Sequence, residues 1–168
     1  MLDWIAFLCE VGGITLLFIL ARIDLKIRLL PNELVMGFAT LGVVFHLTTM
    51  AEFVSPENVV LGGVIGFSVL YIIRMAANRL YDTDALGLGD VKLIGAGGIW
   101  LGPDAIMLAM AIGAMAGLIH GFVFAVAQAQ KTGEKPDFAR LQIPAGPGFA
   151  IGLTLIIIYK FWHFSPLL

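Results

Sequence analysis

Long apolar runs separated by short polar turns organise this chain. Residues 4–23 are almost wholly apolar despite Glu10, and a helical membrane span needs roughly 20 such residues. The polar stretch D24-L-K-I-R-L-L-P-N32 ends that run, with Pro31 placed to start a helix. A second run covers 34–50, and the acidic, Pro-containing AEFVSPEN at 51–58 reads as a loop. The third run, 59–73, is short unless it continues past Arg74 toward Leu80. RLYDTD then leads into A85-L-G-L-G-D-V-K-L93. From there residues 93–101 give only about 14 Å of helix, against a membrane core near 30 Å. Gly102-Pro103-Asp104 breaks the pattern, and 105–127 is a full span by itself. The fourth segment crosses only if it begins nearer Ala85, which draws Asp90 into the membrane edge. Otherwise it is a half-helix facing a cavity. The polar stretch 128–142 reads as a loop, and 145–164 supplies the last span. The pattern predicts an all-α polytopic membrane protein of about six transmembrane helices, with residues 1–168 as a single domain.

Composition agrees with that reading and excludes a soluble domain. The chain has 168 residues, 60% hydrophobic and 13% charged, with mean hydropathy +0.97, whereas soluble domains are near half apolar and a quarter charged. The opening MLDWIAFLCE lacks a basic region and a small-residue cleavage site, so the first run is expected to remain as a span. Cys9 is the single cysteine; it forms no intrachain disulfide and no cysteine zinc site, and reads as a small apolar residue. No basic stripe suggests nucleic acid.

Charge distribution sets the orientation. Arg22, Lys26 and Arg28 follow the first run; Arg74, Arg79 and Lys92 lie between the third and fourth; Lys131, Lys135 and Arg140 lie between the fifth and sixth. Nine of the ten basic residues thus fall on one side, leaving Lys160, while the opposite loops carry Glu52, Glu57 and Asp104. Cytoplasmic loops concentrate Lys and Arg, which places both termini outside. Small residues at spacing four (Ala109, Gly113, Gly117, Gly121, and also Gly62 with Gly66) mark faces for close helix packing.

Two acids stand out from this background. Asp24 and Asp90 each lie at the end of a span on the same predicted side, in separate parts of the chain. Carboxylates brought together from different elements do not both ionise easily and share a proton. Such a pair suits amide hydrolysis: one acid takes a proton from water while the other hydrogen-bonds the scissile carbonyl. The glycines at 87 and 89 would let a substrate backbone approach Asp90. Blander readings exist: Asp24 paired with Arg28 or Arg22 at the interface, Asp90 paired with Lys92, and a relay in a proton or ion conduit. Asp82 and Asp84 read as a solvated loop. His46 and His120, inside apolar runs, read as satisfied by a neighbour or by cavity water, and the histidines have no metal-ligand spacing.

Three motifs in order (D24-L-K-I-R-L-L-P-N32, then G87-L-G-D-V-K-L93 with GGIWLG at 97–102, then I143-P-A-G-P-G-F-A-I-G152) resemble those of type IV prepilin peptidases. These are polytopic aspartic proteases with a GxGD motif, and the resemblance covers nearly the whole chain. It implies Asp24 and Asp90 as the catalytic pair, with Gly87, Gly89, Lys92, Pro31, Asn32 and Pro144 as substrate-binding positions, and no metal or other cofactor. It also implies action at the cytoplasmic face of the inner (plasma) membrane on prepilin or pseudopilin precursors. Their short basic leader is cut after a Gly, just before an apolar segment. Pilus or secretion assembly machinery would be an indirect partner, and membrane lipid a direct one. Many bacterial members carry an N-terminal region with paired CxxC motifs and a methyltransferase activity. This chain begins at its first span with one cysteine, so it resembles the short, peptidase-only type found with Flp pili and archaeal preflagellins. IPAGPGFAIG favours a bacterial pilus substrate; a preflagellin peptidase and a non-catalytic assembly subunit are the alternatives. Arg22, Lys26 and Arg28 would anchor at anionic headgroups, leaving Glu33, Asp82 and Asp84 to attract the leader.

Overall fold

A computed structural model describes residues 2–82, 86–132 and 144–161. All regular structure among them is helical: α1 (Leu2–Ile27), α2 (Asn32–Thr48), α3 (Pro56–Tyr81), α4 (Leu88–Thr132) and α5 (Gly146–Phe161). α1, α3 and Leu88–Ala127 of α4 are long and apolar enough to cross a membrane, while α2 and α5 are shorter apolar helices. α4 is not one rod. Gly102, at φ 76° and ψ 178°, interrupts it, and Pro103 follows. That backbone conformation is open to glycine, and the proline has no N–H to continue the ladder. The two arms, 88–101 and 103–132, answer to the fourth and fifth runs of the sequence, with the break where Gly102-Pro103-Asp104 predicts it. The first arm begins at Leu88 and is about 21 Å long, short of a full crossing.

Several boundaries differ from the sequence reading. α1 runs on to Ile27, so Asp24 sits in its last turn and not in a loop. α3 continues past Arg74 to Tyr81. Residues 128–132 are helical, not loop, because the Gln-Ala-Gln-Lys sequence favours helix and no breaker comes before Gly133. The remainder of that expected loop, 133–142, lies outside the described residues, as do Asp84 and His163.

The break leaves carbonyls at the end of the first arm without helical donors, and in an apolar setting each such group costs several kcal/mol unless satisfied. Side chains from two other helices satisfy them. His46 Nε2 lies 3.1 Å from the carbonyls of both Ile99 and Trp100, and Lys160 Nζ donates to Leu101 O at 2.7 Å. The expectation that His46 is held by a neighbour therefore stands. Trp100, fully buried, donates from Nε1 to Phe38 O at 2.8 Å and stacks on the Phe38 ring. Gly13 and Gly42 make room for its indole, since a Cβ at either would stand within 2.8 Å of it.

Helices in lipid associate through close packing, where missing side chains let backbones touch. α3 crosses the first arm of α4 at Gly62 and Gly98; a Cβ on either would collide with the other's carbonyl. Gly152 and Gly148 of α5 meet the backbone of Ala109, Gly113 and Gly117 on the second arm in the same way. Of the small residues read from the sequence as packing faces, Gly62, Gly66, Ala109 and Gly113 are thus helix contacts, whereas the space beyond Gly117's own Cα is open and Gly121 lines an apolar groove.

Candidate active site

α1 ends one residue after Lys26, with Arg28 in the left-handed region at φ 55°. The Arg28 N–H still donates to Asp24 O at 2.9 Å, so the last turn holds its shape. Asp24 points inward and is 6% exposed. Its Oδ2 accepts the Gly146 N–H at 3.1 Å. Gly146 opens α5, and the first N–H groups of a helix have no partner within it. Asp24 therefore satisfies the start of a helix far away in the chain. Only a glycine fits there without displacement: a Cβ on residue 146 would stand 2.6 Å from Asp24 Oδ2.

Asp90 is the third residue of α4 and is 7% exposed. Its carboxylate accepts a backbone hydrogen bond from Gly87, the reach of an N3 acid back to the residue before the helix. Gly87 suits this fold-back, since a Cβ there would lie 3.0 Å from Asp90 Oδ2. Asp90 Oδ1 is enclosed with no hydrogen-bond partner among the described residues. Asp24 is near enough for its charge to bear on the Asp90 carboxyl. Two buried carboxylates, each fixed by a backbone amide at a helix start, thus share one electrostatic site.

The remaining positions singled out from the sequence fall around this pair with varied contacts. Lys92 Nζ donates to Asn32 Oδ1 at 2.9 Å, so two expected substrate contacts bind one another. Pro31 precedes α2 with φ −59° and ψ 129°. The space above Gly89 is already filled: Leu30 Cβ lies 2.9 Å from where a Cβ on Gly89 would stand. Gly87 is exposed. Pro144 and Ala145 wall an apolar groove of about 680 Å³ whose other side is the second arm of α4 at Gly117, Leu118 and Phe122. Ala145 is followed by Gly146, so one wall of the groove lies a single residue from the amide that holds Asp24.

Three contributors escaped the sequence reading. Leu30 has no signal beyond the bare glycine it covers. Arg74 Nη1 donates to Leu86 O at 2.9 Å and ties α3 to the segment before Asp90. The Gly146 amide could have been suspected from Pro144-Ala145-Gly146-Pro147, where a glycine between prolines signals close backbone approach.

A model of the type IV leader peptidase family matches residues 11–122. The chain is 32% identical over 139 residues to a protein of Pectobacterium carotovorum subsp. carotovorum named "Prepilin leader peptidase/N-methyltransferase", covering 83% of this chain and 47% of that one. A protein of the same name from Neisseria gonorrhoeae is 33% identical over 120 residues, 70% of this chain and 41% of its own. One from Escherichia coli (strain K12) is 27% identical over 143 residues, 85% of this chain and 59% of its own. The chain thus spans about half the length of the curated relatives it matches. No solved structure matches.

Proposed function

The chain belongs to the type IV leader peptidase family, and from that premise we propose that it is a membrane aspartic endopeptidase removing the leader of prepilin or pseudopilin precursors, Flp-type among them. The observation that carries this reading is the pairing of Asp24 and Asp90, two buried carboxylates within electrostatic reach and each seated on a backbone amide. One acid, ionised, takes a proton from water as the water oxygen bonds to the scissile carbonyl carbon. The other, protonated, donates to the carbonyl oxygen. The tetrahedral intermediate then collapses: the C–N bond breaks, the leaving amine takes the proton held by the first acid, and the second recovers its own. The fixed seats matter because a shared-proton pair works only in one geometry.

In this reading the helical chain forms one domain of six spans, counting the two arms of α4 separately, with both termini outside. The pair lies at the cytoplasmic face of the inner membrane, where a precursor presents its basic leader. Glu33 and Asp82, both exposed, attract that leader, and Arg22, Lys26 and Arg28 rest at anionic headgroups. The apolar groove beside Ala145 takes the first residues of the precursor's apolar segment; its wall at Ala145, one residue from the amide that holds Asp24, supports that placement. Incubating purified protein with a panel of prepilins tests the reading. Shortening of a precursor at the Gly that ends its leader supports it; an intact panel together with proton leakage through the protein in vesicles would instead favour a conduit.

A further inference from the structure

We infer that Lys92 and Asn32 are a positioning pair that sets Asp24 against Asp90, and that neither residue binds substrate; the consequence for turnover rests on the peptidase reading above. The argument follows the chain from one acid to the other. Asp24 lies in the last turn of α1, and the helix ends at Ile27 with Arg28 turned left-handed at φ 55°. The next residues form a strap: Leu30, Pro31, then Asn32 at the first position of α2. This strap lies against the first turn of α4, where Leu30 covers Gly89 and Asn32 Oδ1 accepts from Lys92 Nζ at 2.9 Å. Residues three apart on a helix share a face, so Gly89 and Lys92 present one side of that turn and the strap grips it. Asp90 lies between them in sequence and is carried on an adjacent side.

Gripping that turn fixes the start of the first arm, and with it Asp90, relative to the end of α1, and with it Asp24. The packing at Leu30 sets the spacing, and the directional bond at Asn32 sets the rotation. A role in holding a basic leader fits poorly, because Lys92 is itself a cation. Asn32 has its side-chain oxygen committed to that cation. The bare Gly89 is explained by the same contact, since Leu30 occupies the space a substrate backbone would need.

The test uses Asn32→Ala, Lys92→Met, the double variant and Lys92→Arg, with two measurements. The first is the distance between spin labels on cysteines replacing Ile27 and Leu88, both exposed, in a background where Cys9 is serine. This reads position whether or not the protein cleaves anything. A narrow distribution in the parent, broadened in each of the first three variants and restored in Lys92→Arg, supports the inference; unchanged distributions overturn it. The second is prepilin cleavage. A loss in kcat of about tenfold or more, with KM unchanged and the double variant no worse than either single one, supports the pair as one unit. A raised KM at unchanged kcat, additive losses, or faster turnover overturns it. If the parent cuts no precursor, the peptidase reading fails while the distance measurement still decides this one.

Discussion

The seat of Asp24 on α5 makes Gly146→Ala the most economical probe of the site. A single methyl group would stand 2.6 Å from Asp24 Oδ2 and 3.0 Å from its Cγ, roughly 0.8 Å short of ordinary contact at about 3.4 Å. The backbone of residue 146 needs no left-handed conformation, so alanine enters the helix start without strain of its own. The strain falls on the carboxylate, which must swing away or push α5 outward. A misplacement approaching 1 Å costs about 10²-fold in a reaction that depends on alignment, equivalent to about 2.7 kcal/mol in the barrier. Fold stability should fall by about 1–3 kcal/mol, as for an extra methyl in a packed interior. The assay is kcat for prepilin cleavage by the purified variant in detergent, beside its thermal unfolding. Gly37→Ala is the control, because a Cβ there meets only Leu16 Cδ1 at 3.6 Å. A well-folded Gly146→Ala protein with parental kcat would refute the claim that this seat fixes a catalytic acid.

Two further outcomes follow from the same geometry. Turnover should trace a bell with pH: below its acid limb both carboxyls are protonated and no base remains, and above its alkaline limb both are ionised and no acid remains. A rate rising monotonically across the range would contradict a shared-proton pair. Gly62→Ala should cost about 1–3 kcal/mol of stability or more, seen as a lower unfolding temperature, because its Cβ collides with the Gly98 carbonyl and the Gly102 backbone where α3 crosses α4; a Gly62→Ala protein as stable as the parent would mean the helices do not cross there.

Much of this was legible in the sequence because membrane helices announce themselves by length. The runs 4–23 and 59–73 lie within α1 and α3, and the run 34–50 lies within α2 but for its last two residues. The run of only nine residues before Gly102-Pro103 correctly signals a broken helix there. Boundaries were read less well, since hydropathy ends where charge begins but helices do not. α1 carries Asp24 and Lys26 in its last turn, and α4 continues through Gln128 because those residues are good helix formers. The acids were legible as costly residues beside apolar runs. Their seats were not, because the Gly146 amide approaches Asp24 across 122 residues of chain, and nothing local records that. Lys92 and Asn32 show the converse. The motifs single both out as substrate-binding positions, but only the fold reveals that they face one another.

The central claim is that Asp24 and Asp90 act together on a precursor's peptide bond. The most direct measurement is cleavage of a prepilin by Asp24→Asn and Asp90→Asn variants, each purified, folded and compared with the parent and with Asp82→Asn, whose side chain is exposed. An amide keeps the shape and the Gly146 or Gly87 hydrogen bond but cannot take or give the shared proton. The precursor should stay full length with either variant and be shortened by the parent and by Asp82→Asn. Near-parental cleavage by Asp24→Asn or by Asp90→Asn would contradict the account.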